Sequence, residues 1–198
     1  MKQTFAGAAL ALALAACSAE PPLATNTTAP APGPVATNTT PPAPAPAGPA
    51  ATPAPADILT LEGLGLLRIG QPVPANSGWA ERGAQISDAC RLVSNPEVPG
   101  VYAIVEEGRV RRITLGQRST IRLAEGIGVG APEAEIRAAF AGFREEPHTY
   151  VEAPAKYLTA PNAASGDAAL RFEIGADGRV SLIHVGTVPV LGYVEGCA

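Results

Sequence analysis

Four short stretches in the C-terminal part of the chain are rich in Val, Ile, Leu and other apolar residues and are bounded by turn residues, a pattern typical of β-strands. They are Val101–Val105, Arg109–Leu115, Ala169–Ile174 and Arg179–Val185. The first two meet at Glu107-Gly108, and the last two meet at Asp177-Gly178, a favoured tight-turn pair. The pattern therefore predicts two β-hairpins.

A helical spacing precedes the second hairpin. Apolar residues recur at i, i+3, i+4 and i+7, which places Ile136, Ala139, Phe140 and Phe143 on one face of a helix. Pro132 suits the first helical position because its missing N–H is not needed there. Two more strands are expected after the helix, Thr149–Val151 and Lys156–Thr159. Together these elements predict a unit of one helix and about four antiparallel strands.

A fainter copy of this unit precedes it. Arg68-Ile69-Gly70-Gln71-Pro72 is echoed sixty residues later by Gly128-Val129-Gly130-Ala131-Pro132, and Val105–Val110 is echoed by Ile174–Val180. Two echoes in the same order predict an internal duplication, with approximate repeats 58–118 and 121–188. The first copy is expected to be degenerate, its helix short or absent, because Pro74 and Asn76-Ser77-Gly78 interrupt it, leaving Trp79 to fill the space. The predicted fold class is α+β, two related helix-plus-antiparallel-sheet units in tandem, with one sheet face free to bind.

The segment before this domain has a different composition. Residues 18–56 hold twelve prolines, many alanines and a single charged residue, Glu20, and the pentad Ala-Thr-Asn-Thr-Thr occurs twice. With almost no bulky apolar side chains to bury, the segment cannot offset its ordering entropy. We therefore predict that residues 17–56 are a disordered Pro/Ala/Thr-rich linker that could extend to roughly 120 Å. The folded domain is expected at residues 57–198.

The first residues predict export. One cation, Lys2, precedes an apolar run, Phe5–Leu14, that is too short to span a bilayer. Small residues follow, so residues 1–16 have the parts of a secretory signal peptide. Leu14-Ala15-Ala16-Cys17 further resembles a bacterial lipobox, which implies a lipoprotein whose Cys17 carries palmitate-type acyl chains and starts the mature protein. A chance cysteine after an ordinary signal peptide, or an uncleaved anchor, is the alternative.

The other two cysteines and the charge balance narrow the function. Cys90 and Cys197 form an even pair in an oxidising compartment, and we predict a disulfide between them. Two unpaired thiols are the alternative, whereas the spacing disfavours a metal site.

All acidic residues but Glu20 and all basic residues but Lys2 lie from residue 57 onward, and the net charge is −4. This balance argues against nucleic acid as a partner.

No catalytic or phosphate-binding motif is evident, so we expect no cofactor, no metal ion and no enzymatic activity. His148 and His184 lie on separate predicted strands, and each is expected to be a hydrogen-bonded strand residue rather than a ligand or a base. Glu145-Glu146 beside His148 could bind a cation, but a solvated acidic pair is the favoured interpretation.

A basic run is the most suggestive charge feature, and it comprises Arg109, Arg111, Arg112, Arg118 and Arg122. Alternation along a strand places Arg109 and Arg111 on one face and Val110 and Arg112 on the other. A cationic face could meet an acidic partner or lipid headgroups. Neutralisation by Glu106, Glu107 and Glu125 across the hairpin is the favoured alternative.

The domain also resembles a known exported fold. A glycine–proline helix start followed by a small antiparallel sheet, in tandem, resembles the beta-lactamase-inhibitor protein, and the small lipoprotein of the outer-membrane barrel-assembly machine has a similar single unit. Ala124–Gly128 and Tyr193–Cys197 are similar to segments of alphaproteobacterial lipoproteins. The resemblance spans residues 58–197 and implies a fold, but it transfers no contact residue, and the proline-broken first helix departs from it.

These features predict a non-enzymatic lipoprotein. It would be anchored in the cell envelope through Cys17 and would present a binding domain on a long tether to another envelope protein. Ser18 after the acylated cysteine favours the outer membrane, facing the periplasm, by analogy with enteric sorting. The alternative is a secreted-enzyme inhibitor or a small-ligand-binding module of the same fold.

Overall fold

The domain is built mainly from β-strands. The computed structural model of the 198-residue chain describes residues 56–85 and 87–197, so the predicted signal peptide, Cys17 and nearly all of the predicted linker lie outside the described residues. With 38% strand and 11% helix, the structure is mostly β. Among the described residues the α-helix α1 (Glu133–Ala139) has no second counterpart. The predicted tandem pair of α+β units is therefore wrong.

The strands form a large and a small sheet. They are β1 (Ile58–Thr60), β2 (Gly63–Leu64), β3 (Leu67–Arg68), β4 (Ala80–Glu81), β5 (Cys90–Ser94), β6 (Val101–Glu106), β7 (Arg109–Leu115), β8 (Arg122–Leu123), β9 (Arg144–Pro147), β10 (Lys156–Thr159), β11 (Ala169–Ile174) and β12 (Val180–Gly186). The large sheet has the order β4-β5-β6-β7-β12-β11-β10-β9 and the small sheet the order β3-β2-β1-β8. The hairpins β6–β7 and β11–β12 confirm the two hairpins predicted from the sequence.

The large sheet is symmetric about its central strands, β7 and β12. Four strands from each half of the domain run outward from this pair in matching order. Thr114 pairs with His184, and the pairings on either side, Ile113 with Val185 and Leu115 with Ile183, are symmetric about that position. Each half thus supplies one side of a single sheet instead of forming a unit of its own. The duplication itself stays a prediction.

The echoed residues make matching contacts in the two halves. Arg109 donates a hydrogen bond to the carbonyl of Gly70, and Arg179 donates one to the carbonyl of Gly130, both at 2.8 Å. Each glycine also donates its backbone N–H to the carbonyl of the residue directly after the arginine, Val110 or Val180, at 2.7 and 2.8 Å. The arginine of each hairpin therefore ties that hairpin to the segment preceding it.

Both hairpins contain a β-bulge at corresponding positions. The bulge leaves Arg111 without a paired residue in β6–β7 and Ser181 without one in β11–β12. One extra residue reverses the facing of the rest of the strand. Val110 therefore lies in the core, whereas Arg112 lies on the opposite face of the sheet. The simple alternation predicted for Arg109–Arg112 is wrong for this reason.

The main core lies between the small sheet, α1 and one face of the large sheet. The small sheet is antiparallel except for the parallel pair β1–β8. The buried residues include Leu59, Leu64 and Leu67 from the small sheet, Ile136 from α1, and Ile113, Phe172, Ile183 and Val185 from the large sheet. Burial of these aliphatic and aromatic side chains is the main stabilising term.

The helix prediction is correct in place but not in length. α1 buries Ile136, and Phe140 ends it because the backbone there is extended. Phe140 and Phe143 still pack against Phe172, with ring centroids 6.2 and 5.7 Å from its ring. Residues 73–79 of the first half form no helix, and partly buried Trp79 packs against the core, as predicted.

The predicted strand Thr149–Val151 is wrong. The strand that pairs with β10 is β9, and residues 148–155 form the loop between them. The sequence of β9, Arg-Glu-Glu-Pro, is charged and ends in proline, which suits an edge strand that must not pair further. Alternation of apolar residues does not reveal such a strand.

Candidate functional site

A row of polar residues crosses the middle of the large sheet on the face opposite the core, here termed the outer face. Thr114 of β7, His184 of β12 and Arg171 of β11 are neighbours by register. Glu173 lies two residues further along β11. Polar residues at these alternate positions, within strands that are otherwise apolar, are the sequence signal that could have identified the cluster, and the sequence analysis did not use it.

His184 is the centre of a hydrogen-bonded chain. Its Nδ1 lies 2.9 Å from Oγ1 of Thr114, and its Nε2 lies 3.1 Å from Oε1 of Glu173. His184 is 2% exposed. Burial lowers its pKa from the ordinary 6.5 to about 4, with a further contribution from Arg112, although the hydrogen bond to Glu173 opposes the shift. The imidazole is therefore neutral at pH 7, accepting from Thr114 and donating to Glu173.

His148 supplies a second donor to the same carboxylate. Its Nδ1 accepts hydrogen bonds from the backbone N–H groups of Tyr150 and Val151, at 3.1 and 3.2 Å. Because Nδ1 accepts, Nε2 is the ring nitrogen that carries a proton, and it lies 3.4 Å from Oε2 of Glu173. Burial alone would raise the pKa of Glu173, but His184 and His148 outweigh it, and the pKa is lowered. Glu173 is therefore a carboxylate held between two imidazoles.

The connectivity hydroxyl–imidazole–carboxylate is one that activates a nucleophile in hydrolases. A substrate could not reach the hydroxyl, because the side chain of Thr114 has no exposed surface. What the arrangement does is to satisfy buried polar groups and, through His148, to hold the start of loop 148–155. Within residues 56–85 and 87–197, no three His, Cys, Asp or Glu side chains converge to hold a metal ion.

The C-terminal residues 187–197, here termed the strap, cover another part of the outer face. A disulfide joins Cys197 to Cys90 of β5, with Cα atoms 5.6 Å apart, which confirms the predicted pairing. Val190 and Leu191 of the strap are buried: Val190 packs on Cys90 and Ile104, and Leu191 packs on Ala169. The outer face is therefore covered over its centre, contrary to the expectation of a free sheet face.

Arg112 lies beneath the strap and holds it. Its guanidinium donates to the carbonyl of Val190 at 3.2 Å and to that of Tyr193. Burial lowers the pKa of Arg112, while Tyr102 and Glu173 oppose the shift. Its Nε is buried and finds no hydrogen-bond partner among the described residues. A buried charge satisfied chiefly by strap carbonyls makes the position of the strap matter for stability.

The predicted basic run does not form one cationic face. Four of its five members are used within the fold: Arg109 and Arg122 donate to the carbonyls of Gly70 and Gly126, Arg111 pairs with Glu107 at 2.6 Å, and Arg112 holds the strap. Arg118 is exposed, and no residue of the described chain forms an ion pair or hydrogen bond with its side chain.

The acidic pair Glu145-Glu146 is neutralised within the fold. Glu145 pairs with Arg137, and Glu146 pairs with Arg171 at 3.1 Å. His148 faces the outer-face cluster instead. The three residues that could have bound a cation are thus directed to different partners.

An open concavity lies at the ends of β5 and β6, between loop 95–100 and the turn at residues 116–119. It has a volume of about 630 Å³, and we term it the basic groove. Arg82 and Arg118 are its charged lining residues, and its lining contains no acidic residue. Arg118 belongs to the basic run identified from the sequence, but nothing in the sequence predicts that it lies beside Arg82.

No protein-family model matches the chain, and neither curated proteins nor solved structures show a match to it. None of the helices in the described residues is long and apolar enough to cross a bilayer. The resemblance to the beta-lactamase-inhibitor fold therefore stays a prediction. Function has to be argued from the residues themselves.

Proposed function

We propose that the chain is a lipid-anchored lipoprotein of the cell envelope that presents a non-catalytic protein-binding domain on a long tether. Cys17 carries the lipid, residues 17–56 are the tether, and residues 57–198 are the binding domain. The lipid holds the protein at the outer membrane, facing the periplasm. The partner is another envelope protein.

The disulfide is the observation that carries the proposal. Bonds of this kind persist in oxidising compartments such as the bacterial periplasm and are rare in the cytosol. Of the three cysteines, Cys90 and Cys197 are bonded to each other. Cys17, which follows the lipobox-like residues, is the thiol that remains for acylation. An exported domain and an acylated cysteine are consistent with each other.

A binding role rather than a catalytic one is favoured by access. The hydroxyl–imidazole–carboxylate chain is enclosed, whereas the basic groove is open and lies between a loop and a turn. Loops held by a rigid sheet are a usual place for binding residues. Inhibition of a secreted enzyme is the second candidate, and the open basic groove is the feature that favours it.

Metabolic labelling with an alkyne analogue of palmitate tests the anchor. The wild-type chain should be labelled and should fractionate with membranes, and mass spectrometry should find Cys17 as the modified first residue. Cys17→Ser should lose the label, while Cys197→Ser, which removes a different thiol, should keep it. A mature chain with an unmodified Cys17 would contradict the proposal.

Crosslinking in intact cells tests the partner. Capture of the wild-type chain should recover one envelope protein in stoichiometric amount, and the Cys17→Ser chain should recover less because it is released from the membrane. Potent inhibition of a secreted hydrolase by the purified chain, without a stoichiometric envelope partner, would favour the inhibitor role instead.

A further inference from the structure

The basic groove has a rigid frame. The turn that carries Arg118 packs directly on the loop between β5 and β6: Gly116 donates its N–H to the carbonyl of Gly100 at 2.7 Å. A Cβ atom on Gly100 would lie 2.4 Å from the backbone nitrogen of Ser119, so the two segments are in closest contact there. The backbone position of Arg118 is thus set before any ligand arrives, so that binding requires no ordering of the turn itself.

The two cations of the groove retain donors for a ligand. Arg82 uses its Nε on the carbonyl of Ser94 at 3.2 Å and one terminal nitrogen on the carbonyl of Gly78 at 3.3 Å. Its other terminal nitrogen makes no hydrogen bond to a described residue. Arg118 has all of its donors available. A guanidinium is suited to carboxylates because its donors form a planar fork.

The groove is positive in a chain whose net charge is −4. The acidic residue next to Arg82 in sequence, Glu81, is paired with Arg91 at 2.6 Å and does not line the groove. Glu97, on the loop between β5 and β6, lines a neighbouring pocket and does not line the groove. The local charge of the groove is therefore opposite to that of the whole chain, which favours an anionic partner.

The remaining lining explains why the anion belongs to a polypeptide. Apolar surface comes from Pro96, Val98, Pro99 and Val101, with Tyr102 beside them. A volume of about 630 Å³ falls within the range of about 300–1,000 Å³ found for ligand sites. An inorganic ion would make no favourable contact with this apolar part of the lining. A segment that alternates carboxylates with apolar side chains matches both features.

We propose that the basic groove binds an acidic, extended polypeptide segment of the partner, with Arg82 and Arg118 holding its carboxylates and the apolar wall contacting the side chains between them. The proposal deepens the proposed function by assigning a surface and a partner chemistry, and it rests on the proposed function only for the existence of a protein partner.

Fluorescence anisotropy with the purified full-length chain tests the groove. The probe is a fluorescein-labelled decapeptide that alternates Glu and Val, and the comparison probe replaces each Glu with Gln. The acidic probe should bind saturably, and rising salt should weaken it, because the contacts are between exposed charges. The Gln probe should bind far less tightly.

Charge-reversal variants separate the groove from general electrostatics. Arg118→Glu should weaken the acidic probe by about tenfold or more. Arg144→Glu makes the same change of charge at the opposite edge of the large sheet, on β9, and should change the affinity by less than about twofold. Arg118→Glu should melt like the wild type, because Arg118 is exposed and has no partner among the described residues. Arg144→Glu loses an exposed ion pair with Glu146 at 3.4 Å, so its stability should fall by at most about 1 kcal/mol.

Three results would overturn the proposal: no saturable binding of the acidic probe at about 1 mM, equal binding of both probes, or equal loss in the two variants. Because purified protein is used, these results do not depend on the lipid. Failure of labelling at Cys17 would refute the anchor and leave the groove intact, so the two failures can be told apart.

Discussion

Removal of the disulfide tests how much the strap and its bond contribute to stability. Cys90 and Cys197 are 107 residues apart in the sequence. In the chain-entropy relation, closing a loop of this length lowers the entropy of the unfolded chain by about 16 cal/mol/K, which stabilises the fold by about 4.8 kcal/mol at 25 °C. The change Cys197→Ser costs little besides the bond, because Cys197 is half-buried at the end of the strap.

The expected shift in melting temperature follows from the size of the domain. A loss of about 4.8 kcal/mol in a domain of this length corresponds to about 10–20 °C. The assay is thermal unfolding followed by circular dichroism, for wild type and Cys197→Ser, each with and without reductant. Reduced wild type and Cys197→Ser should melt together, well below oxidised wild type. Cys17→Ser should melt with the oxidised wild type.

Either of two outcomes would contradict this contribution of the disulfide to stability. If Cys197→Ser still melts below the wild type after both are reduced, the serine itself disturbs the strap, and the loss cannot be assigned to the bond. If oxidised wild type and Cys197→Ser melt at the same temperature, then Arg112 and the buried strap residues hold the C-terminus without covalent help.

Three further changes test the outer face and the groove. Lowering the pH from 7 to 4 should cost about 3 kcal/mol of unfolding free energy, because His184 takes up a proton near pH 6.5 in the unfolded chain but only near pH 4 in the folded one. Stability is thus lost as the pH falls, and His184→Gln should flatten the urea-unfolding profile over this range; an unchanged profile would contradict the assignment. Glu173→Gln should lower the free energy of unfolding by about 1–3 kcal/mol, since its amide nitrogen must face one of two histidine N–H groups. The exposed Glu195→Gln, measured in the same urea titration, should change it by less than about 0.5 kcal/mol, and equal losses would contradict the network. Gly100→Ala should lower the melting temperature more than Gly108→Ala, because φ is positive at both (77° and 71°) but only a Cβ at Gly100 meets backbone; equal melting would contradict the contact between loop and turn.

The parts of the fold that could be predicted are those that depend on neighbouring residues. Both hairpins follow from short apolar stretches joined by a turn dipeptide, and the start of α1 follows from Pro132 and the residues after it. The helix ends early because Phe140 packs into the aromatic cluster around Phe172, and that contact is between distant residues. Tertiary packing overrides local propensity in such cases.

The prediction of which sheet face a side chain occupies failed where one extra residue changed the register. The bulge at Arg111 moves Arg112 from the face that it was predicted to share with Val110 to the opposite face, and no local signal in the sequence marks the extra residue. The two histidines meet at Glu173 for a related reason. His148 and His184 are distant in the chain. They reach the same carboxylate only because the strands lie in the order β12-β11-β10-β9 within one sheet.

The covered outer face moves the binding site from the sheet to its loops. A partner cannot add to the large sheet easily, because one edge is the two-residue β4 and the other is the charged, proline-terminated β9. Nor can it lie directly on the middle of the sheet, because the strap covers part of that face and the His184 cluster is enclosed. What remains is the rim where loops meet, and there the basic groove combines rigid backbone, apolar wall and two available cations. A tethered domain with this surface would select an acidic partner, and reversing the charge of Arg118 should weaken that binding by about tenfold or more while the fold is retained.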